Sequence, residues 1–492
     1  MLAIGSILFL VRMFMKRLVS LFFLLFVYVV PSVPINGSAN KPSICEVKAF
    51  PHAIGFGTDT PGGRGGQIIY VTNLSDSGDG SLRSALTASG RRLVLFRVSG
   101  TITLESDIRI KEPYLTIAGQ TAPGEGVQIR GAHIRIETHD IIIRYLKVRS
   151  GDLQNDSTEE NRDAITVNNL DQAYNIVIDH STLIWGPDIG GLSFLNGTHD
   201  STVSYSIMGE GLYISHHPEA NLDNDGHSMS MNITELDSSV PPRRITVHHN
   251  LLTTSADRNP RVIGGKNIDI VNNVIYNWKY SSSQGNPRSL NLINNVYIRG
   301  PMTSSVSAFF IWMPLVEDGG KLHSNSVHET GNVREGFWTQ RKGPSQVYTD
   351  VLFTPYSMSQ EDSPDIAYDK VLRAAGANLQ VSTTTGDFRI IRDSVDQRII
   401  NNVLNRKGSF YNGVDYDNVL GFQAISWPEL QSGTPAIDDD LDGMPDTWEQ
   451  HYFGYHRRGS PERSRGDYDR DGYTDVEEYL NRTNPTQPEF CQ

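Results

Sequence analysis

The stretch that decides the fold reads Ile245-Thr246-Val247-His248-His249-Asn250, then Ile268-Asp269-Ile270-Val271-Asn272-Asn273 and, 22 residues later, Leu290-Asn291-Leu292-Ile293-Asn294-Asn295. Each segment alternates apolar and polar residues and ends on a polar corner, as one coil of a parallel solenoid requires. Three earlier segments share the pattern. The third residues of the six segments are Ile143, Ile178, Val203, Val247, Ile270 and Leu292. Successive members of this series are 35, 25, 44, 23 and 22 residues apart. The sequence therefore predicts an all-β, right-handed parallel β-helix in which these six residues stack.

The unequal spacings predict where loops leave the solenoid. The shortest spacing fits a bare coil, and the longer ones leave room for loops of roughly 10 to 20 residues, a size at which unstructured loops are usually functional. The corner residues Asn250, Asn273 and Asn295 should stack, so that each side-chain amide satisfies backbone groups of the next coil.

A chain of 492 residues with 44 glycines is long for one compact core, but a solenoid grows coil by coil without that limit. Segments 369–377 and 392–403 read as helices packed along the solenoid, and we expect the protein to be a monomer. The predicted organisation is a signal peptide at 1–39, the β-helix with its flanking helices at 46–422, a linker at 423–435 and a small helical calcium-loop module at 436–486.

The N-terminus has the composition of a secretory signal. Arg12, Lys16 and Arg17 precede an almost wholly apolar run at 18–30, which is too short to span a bilayer, and Gly37-Ser38-Ala39 offers small residues for cleavage. A retained anchor is the alternative, because 2–15 is also apolar. We expect an extracellular protein without stable membrane insertion after cleavage.

Charge and cysteine content limit which partners and which disulfide the chain can have. Without residues 1–39 the chain has 40 basic and 56 acidic residues, so no basic stripe favours a nucleic acid. The two cysteines, Cys45 and Cys491, stand near opposite ends and could pair in an oxidising compartment, although such spacing is weak evidence.

Carboxylates gather in the 35-residue step between Ile143 and Ile178. Such a cluster either binds a hard cation or faces solvent. Asp163 leads directly into the alternating strand 164–167, and Asp188 follows one coil later. Equivalent positions on adjacent coils lie about 5 Å apart, so the two carboxylates would repel unless a cation such as calcium lay between them.

Longer motifs resemble a known family. They are Gly62-Gly63-Arg64-Gly65-Gly66, Gly80-Ser81-Leu82-Arg83, Ile117-Ala118-Gly119-Gln120-Thr121-Ala122-Pro123-Gly124, Ile178-Asp179-His180, Ser215-His216-His217 and Asp257-Arg258-Asn259-Pro260-Arg261. Together, and in this order, they resemble the pectate lyases of polysaccharide lyase family 1, clearly over about 49–301.

The resemblance implies a secreted enzyme that binds polygalacturonate (pectin) and cleaves it by β-elimination. It implies that Asp163 and Asp188 hold calcium against the substrate carboxylate and that Arg258 is the base that takes the C5 proton. A second cation, Arg261 or Lys266, would disfavour the charged form of such a base and bind substrate. Apart from the resemblance, the histidines of these coils are of a kind that usually hydrogen-bonds the backbone, with zinc binding as an alternative. His217 or His227 could instead contact sugar hydroxyls.

The chain also departs from the family pattern. Ile189 stands where members often have an acidic residue, and Ile263 where many have a third arginine. A lysine usual near the site is not evident, because Pro218-Glu219-Ala220-Asn221 follows the two histidines. These departures predict low activity or a shifted substrate.

The tail contains two matches to the pattern D-x-D-x-D-G-x-x-D-x-x-E, 29 residues apart. Oxygen ligands at these intervals wrap a calcium ion, and the glycine permits the sharp turn. The first loop offers Asp438, Asp440, Asp442, Asp446 and Glu449, and the second Asp467, Asp469, Asp471, Asp475 and Glu478. The module resembles dockerins and similar calcium-loop tails, and we expect it to stabilise the fold as a cap, with the last coil as a candidate position.

Two other functions stay open from the sequence. A polysaccharide hydrolase on the same solenoid would need converging carboxylates, but the Asp-Asp and Gly-His-Gly segments of polygalacturonases are absent. A catalytically weak pectin-binding protein would result if Ile189 and Ile263 disable the site.

Overall fold

The computed structural model describes most of the chain beyond the N-terminus. The described residues are 47–153, 161–236, 240–304, 308–316, 322–335, 341–342, 344–382, 385–455, 459–460 and 466–489. The predicted signal peptide and both cysteines lie outside these ranges. No helix among the described residues is long and apolar enough to cross a membrane.

Short strands dominate the described chain. They are β1 Gln67–Val71, β2 Arg92–Phe96, β3 Gly100–Thr103, β4 Ile108–Ile110, β5 Leu115–Ala118, β6 Val127–Arg130, β7 Ile134–Ile136, β8 Ile141–Arg144, β9 Lys147–Arg149, β10 Ile165–Val167, β11 Tyr174–Asp179, β12 Thr182–Ile184, β13 Ile189–Leu195, β14 His199–Ser204, β15 Ile207–Gly209, β16 Met229–Thr234, β17 Arg243–His248, β18 Leu251–Thr253, β19 Arg261–Ile263, β20 Lys266–Val271, β21 Val274–Tyr276, β22 Ser281–Asn286, β23 Leu290–Ile293, β24 Val296–Ile298, β25 Ala308–Trp312, β26 Leu315–Val316, β27 Leu322–His323, β28 Val327–Thr330, β29 Val333–Arg334, β30 Arg341–Lys342, β31 Tyr348–Thr349, β32 Leu379–Val381, β33 Phe388–Ile390, β34 Tyr411–Asn412 and β35 Gln423–Ala424. The helices are α1 Leu82–Thr87, α2 Pro364–Ala374, α3 Ser394–Asn405, α4 Asp446–Phe453 and α5 Asp475–Asn481.

Three parallel sheets form the walls of the solenoid. Sheet A has the order β1-β2-β5-β8-β11-β14-β17-β20-β23-β28-β31, sheet B runs from β3 to β29 and sheet C from β4 to β30, each pairing every third strand along most of its length. This is the parallel β-helix that the sequence predicts. The chain visits one strand of each sheet per coil, so loops of one kind stack along one edge.

The predicted register of sheet A is confirmed residue by residue. Ile178 pairs with Ile143 and Val203, Val247 pairs with Val203 and Ile270, and Ile270 pairs with Leu292. All six side chains are fully buried in the central core. The period-2 pattern thus selects which residue of each coil points inward.

The predicted asparagine stack is also confirmed. The Oδ1 atom of Asn273 accepts hydrogen bonds from the backbone and side-chain nitrogens of Asn250, and Asn295 accepts the same pair from Asn273. Asn332 continues the row, and Ser206 begins it on the other side of Asn250. These amides are buried, so the row satisfies backbone groups that the turns leave unpaired.

The two predicted flanking helices are present as α2 and α3, with the first beginning earlier than predicted. Pro364 occupies the first turn of α2, where a missing N–H costs nothing, so the helix begins there. Both helices pack on the outer face of sheet B. Asp393, the N-cap of α3, binds the buried Arg149 at 2.8 Å and Lys147 at 2.9 Å, which fixes the helix to strand β9.

The segment predicted as a linker lies along the solenoid. Trp427 donates to the carbonyl of Arg149 at 2.8 Å, and the backbone nitrogens of Gln431 and Gly433 donate to side chains of Glu125 and Ser99. The segment therefore contacts the solenoid at several points.

The C-terminal loops and helices pack against the first coils, so the last-coil position considered from the sequence is wrong. Met444 and Trp448 join Val476, Tyr479 and Leu480 in a cluster with the outward side chains of Ile68, Leu93, Leu95 and Ala118 on β1, β2 and β5. Arg64 pairs with Glu477 at 2.9 Å, and Arg144 donates to Asn481 at 2.8 Å. The apolar outer face of sheet A in these coils, which a sequence pattern does not distinguish from a core face, decides where the tail binds.

Candidate active site

The candidate site lies where the strands of sheet C begin. Asp163 stands two residues before β10, Asp188 directly before β13, and Arg261 opens β19. Because β10 pairs with β13, β13 with β16 and β16 with β19, these residues lie on nearby coils along one edge. The loops before β10 and β16 lie in the 35- and 44-residue steps, where the unequal spacings predicted long loops.

Asp163 is buried and largely satisfied by the protein itself. Its Oδ2 accepts from the Thr166 hydroxyl at 2.7 Å, and its Oδ1 accepts from the backbone nitrogen of Ile189 at 3.1 Å. Burial, and then the charge of Asp188, raise the pKa of Asp163 well above its ordinary value. Ile189, which replaces an acidic residue of the family pattern, contributes a backbone donor here.

Asp188 is the more open carboxylate, with a side chain 23% exposed. Its Oδ1 lies 3.9 Å from Nη1 of Arg258. Burial raises the pKa of Asp188, and the positive charges of Arg258, His217 and Arg261 oppose that rise. Asp163 and Asp188 therefore lie close enough to interact, as the sequence predicted, but they differ in access to a ligand.

Arg258 is held by its backbone in an unusual conformation. Its φ is 57°, in the left-handed region, and its carbonyl accepts from Met231 at 2.9 Å. Asp257 accepts from the Arg258 backbone nitrogen at 2.9 Å, from Ser281 and from Gln284. The neighbouring carboxylate therefore holds the Arg258 backbone, while the guanidinium extends toward Asp188.

Arg261 belongs to an outward-facing row that crosses sheet C. The paired residues are Thr166, Ser193, Asn232, Arg261 and Gln284. Burial and then the charge of Arg258 lower the pKa of Arg261 to about 10. Its buried Nε finds no hydrogen-bond partner within the described residues.

Two stacked histidines complete the wall beside Asp188. The rings of His217 and His227 are parallel to within 6°, with centroids 4.3 Å apart. His227 Nε2 lies 4.0 Å from Asp188 Oδ1 and 3.4 Å from Glu219 Oε2. Burial lowers the pKa of His227 to about 3, with the charges of His217 and Arg258 adding to the effect. Asp188, His217 and His227 form a group that could hold a metal ion.

Other predicted residues lie elsewhere. Lys266 is exposed and begins β20 of sheet A, beyond the far end of β19, so the structure does not bring it to Arg258. His180 and His249 stack with Tyr205 at the corners of sheet A, and His248 accompanies them. His180, His248 and His249 therefore lie apart from His217 and His227.

Sequence reasoning missed the parts that support Arg258. Ser281 and Gln284 lie one coil beyond it and reach Asp257 only through the register of sheet C. In the sequence, Glu219 is notable only because it lies in a segment that lacks the lysine usual in the family. Its proximity to His227 depends on the path of a loop that has no repeating pattern, so the sequence does not predict it. The short spacing between Arg258 and Ser281, one coil long, was the available signal.

The two C-terminal loops gather carboxylates as their spacing predicts. Asp438, Asp440 and Asp442 form one group that could hold a metal ion, and Asp467, Asp469 and Asp471 form another. Within the described residues, six of the predicted ligands each have one buried carboxylate oxygen without a hydrogen-bond partner. They are Asp438, Asp440, Asp442, Asp467, Asp469 and Glu478. Burial, aided by the neighbouring carboxylates, raises the pKa of Asp442 to about 8 and of Glu478 to about 9. Such unpaired acidic oxygens fit a bound cation.

The chain is similar over most of its length to fungal proteins. It is 30% identical over 427 residues to a probable pectate lyase C from Neosartorya fischeri, covering 85% of this chain and 90% of the relative. A probable pectate lyase C from Emericella nidulans is also 30% identical, over 82% of this chain and 86% of the relative. The chain belongs to the pectate lyase family.

A solved structure and the family models complete the comparisons. The crystal structure of the major allergen from cedar pollen superposes with a TM-score of 0.49 at 19% identity, covering 66% of this chain and 92% of that chain. No family model matches the sequence. Pectate lyases are polysaccharide lyases, so membership of the pectate lyase family places the chain among enzymes.

Proposed function

We propose that this protein is an extracellular lyase that cleaves α-1,4-linked polygalacturonate by β-elimination with the help of a divalent cation. The observation that carries the proposal is the position of the Arg258 guanidinium, 3.9 Å from Asp188, in a chain of the pectate lyase family. The apolar segment at 18–30 supports secretion.

Arg258 acts as the base in this proposal. It accepts the C5 proton of a galacturonate unit, after which the C4–O4 bond breaks, a C4–C5 double bond forms and the leaving O4 oxygen takes a proton from water. A guanidinium normally keeps its proton far above neutral pH, so the group needs positive neighbours and suits alkaline conditions. Arg261 is such a neighbour: burial, and then the charge of Arg258, lower the pKa of Arg261.

Substrate binding falls to residues around the base. The Arg261 guanidinium donates to the C6 carboxylate, whose negative charge grows as the C5 proton leaves. His217 lines the same wall and contacts sugar hydroxyls. Lys266, predicted as an alternative second cation, is not part of this arrangement.

Asp188, with Asp163 behind it, would hold the cation. A bound divalent ion supplies Lewis-acid stabilisation of the substrate carboxylate. Calcium is the ion that the family resemblance predicts, and the unpaired oxygens of the two tail loops favour calcium there in a structural role.

The test is a product assay on polygalacturonate and on highly methyl-esterified pectin, each with and without a chelator. We expect a product that absorbs near the ultraviolet edge, formed from polygalacturonate and lost on chelation. New reducing ends without that absorbance would show a hydrolase. Binding without any cleavage would show a pectin-binding protein and overturn the proposal.

A further inference from the structure

The loop between β15 and β16 carries both stacked histidines of the site and has little regular structure. Residues 210–228, called the histidine loop below, contain one short 3-10 turn, Leu222–Asn224. The backbone nitrogen of His227 donates to the carbonyl of Tyr213 at 2.8 Å, which closes the loop at its neck. Ordering such a loop costs conformational entropy, so contacts from other elements must hold it in one conformation.

Asp225, two residues before His227, is where several donors converge on the histidine loop. Its Oδ1 accepts from the Tyr213 hydroxyl at 2.9 Å, and its Oδ2 accepts from the Lys279 ammonium at 2.8 Å and from the Tyr280 hydroxyl. The same Tyr280 hydroxyl lies 3.1 Å from the Asp225 carbonyl oxygen. The hydrogen bonds from Lys279 and then Tyr280 lower the pKa of Asp225 to about 2, so the carboxylate is ionised at neutral pH.

The donors to Asp225 belong to two parts of the molecule that are themselves held in place. Tyr213 is buried, and its ring stacks on that of Phe410, with centroids 4.9 Å apart. Lys279 and Tyr280 precede β22, and their backbone nitrogens donate to the Ala256 carbonyl at 3.1 and 2.9 Å. This carbonyl lies on the coil of the proposed base. Asp225 therefore joins the histidine loop to that coil and to the buried Tyr213 ring.

The local backbone is built to present this carboxylate. Asp225 and Gly226 are both in the left-handed region, with φ values of 56° and 81°. A short polar side chain such as aspartate tolerates that conformation. A Cβ atom at Gly226 would lie 2.5 Å from the Tyr213 ring, so the turn needs glycine there. An isolated surface ion pair contributes little, but several donors on one carboxylate form a network with fixed geometry.

We propose that Asp225 is a positioning residue of the lyase site. It fastens the histidine loop to the coil of the proposed base and so holds His217 and His227 beside Asp188. The two rings are stacked 4.3 Å apart, so a displacement of His227 displaces its neighbour as well. The inference rests on the proposed function for the role of this wall, which is to bind the sugar.

Steady-state kinetics on polygalacturonate test the positioning role. Asp225→Asn keeps the shape of the side chain and its tolerance of a left-handed backbone. We expect KM to rise about three- to tenfold, on the scale of a partly exposed ion pair with further hydrogen bonds. The value of kcat should stay nearly unchanged, because Asp257 and the next coil hold Arg258 independently of this loop. Asp223→Asn, which removes the same charge from an exposed position of the same loop, is the matched control and should leave KM unchanged.

Hydrogen exchange measured by mass spectrometry on the full chain without substrate reports the loop directly. The His227 amide, which donates to Tyr213, should exchange faster in Asp225→Asn than in the wild type or Asp223→Asn. Tyr280→Phe is a second variant, because its side chain is 40% exposed and the change removes only the hydroxyl. Lys279→Met should reproduce the effect, and combining it with Asp225→Asn should add little, since the two side chains form one interaction.

The inference fails if His227 exchange in both Asp225→Asn and Tyr280→Phe equals that of the wild type. It also fails if exchange rises while KM stays at the wild-type value, or if kcat falls together with the thermal midpoint, since the last result is that of a merely structural residue. A wild-type chain that forms no unsaturated product would refute the lyase function instead. Exchange at His227 would still decide whether Asp225 fastens the loop.

Discussion

At the scale of single residues, the proposed chemistry depends on Arg258 and on the groups that hold it. A left-handed backbone at a non-glycine residue is unfavourable, and the Asp257 carboxylate with two donors from the next coil stabilises it. The guanidinium is thereby presented to Asp188 without pairing with Asp257. The family motif predicted the residue, and the adjacent coil explains its orientation.

Replacing the base conservatively should separate chemistry from folding. Arg258→Lys should lower turnover of polygalacturonate by roughly 10²-fold or more, the usual scale of acid–base contributions, because a lysine ammonium cannot occupy the same position. The thermal midpoint should stay near that of the wild type, and Arg243→Lys, in a partly exposed pair with Asp171, is the control. Near-normal turnover would exclude Arg258 as the base.

Removing the charge of Asp163 or of Asp188 should change the cation dependence of activity to different extents. Asp188→Asn should raise the cation concentration for half-maximal activity by about tenfold or more, because this carboxylate faces the cleft. Asp163→Asn should raise it less, since hydrogen bonds occupy both oxygens. Activity measured against cation concentration decides the matter, and equal curves for both variants and the wild type would place the ion elsewhere.

At the scale of elements, the asparagine row joins successive coils. Each amide accepts from the coil before it and donates to backbone carbonyls, so one substitution leaves several buried groups unpaired. The row lies at the corners after the sheet A strands, while the site lies at the start of the sheet C strands.

Asn273→Leu, which keeps the volume and removes the hydrogen bonds, should therefore destabilise the protein by about 3 kcal/mol or more. Urea unfolding followed by circular dichroism measures the change. Asn169→Ala, at an exposed amide with one hydrogen bond, should cost far less. Equal unfolding midpoints for the two variants would contradict the structural role of the row.

At the scale of the whole molecule, the tail and the first coils share one apolar cluster. Tyr70 of β1 also hydrogen-bonds Asp438, a proposed ligand in the first tail loop. Ion binding in the tail should therefore stabilise more than the tail itself.

Saturating calcium should raise the thermal midpoint of the full chain in a single transition, since a site filled at 100 times its Kd contributes about 2.7 kcal/mol. The double variant Asp440→Asn/Asp469→Asn should lose most of this dependence, while Asp79→Asn, at an exposed position outside the loops, should retain it. Calorimetry with and without a chelator measures the shift. A calcium response that is unchanged in the double variant would show that these loops do not bind the stabilising ion.

Without metal, the same carboxylates should make stability fall as pH rises. Burial raises the pKa of Asp442 from 3.8 to about 8 and that of Glu478 from 4.5 to about 9, so the folded chain binds more protons than the unfolded chain between these limits. The contribution is present at acidic pH and is lost as pH rises toward 8 to 9. Thermal midpoints of chelated protein at pH 6 and 9 test this, and saturating calcium should remove or reverse the trend.

The sequence by itself determined the coil, its register and the residue types of the site. In a strand with one buried face, alternating residues point to opposite faces, so only one register places the apolar side chains in the core. For this reason the six stacked residues, of which Ile143 is the first and Leu292 the last, can be aligned from their pattern alone. Fixed-interval motifs such as the two tail loops, or the Arg258 segment, are similarly local, because all their parts lie within a few residues.

Tertiary structure alone decided which distant loops meet. His227 and Glu219 come to Asp188 from an irregular loop on another coil, Lys266 lies away on sheet A, and the tail packs on the first coils. None of these follows a repeat, since loop paths and the docking of apolar outer faces depend on the packing of the whole surface. The placement of an imidazole beside the proposed base is therefore a property of the fold.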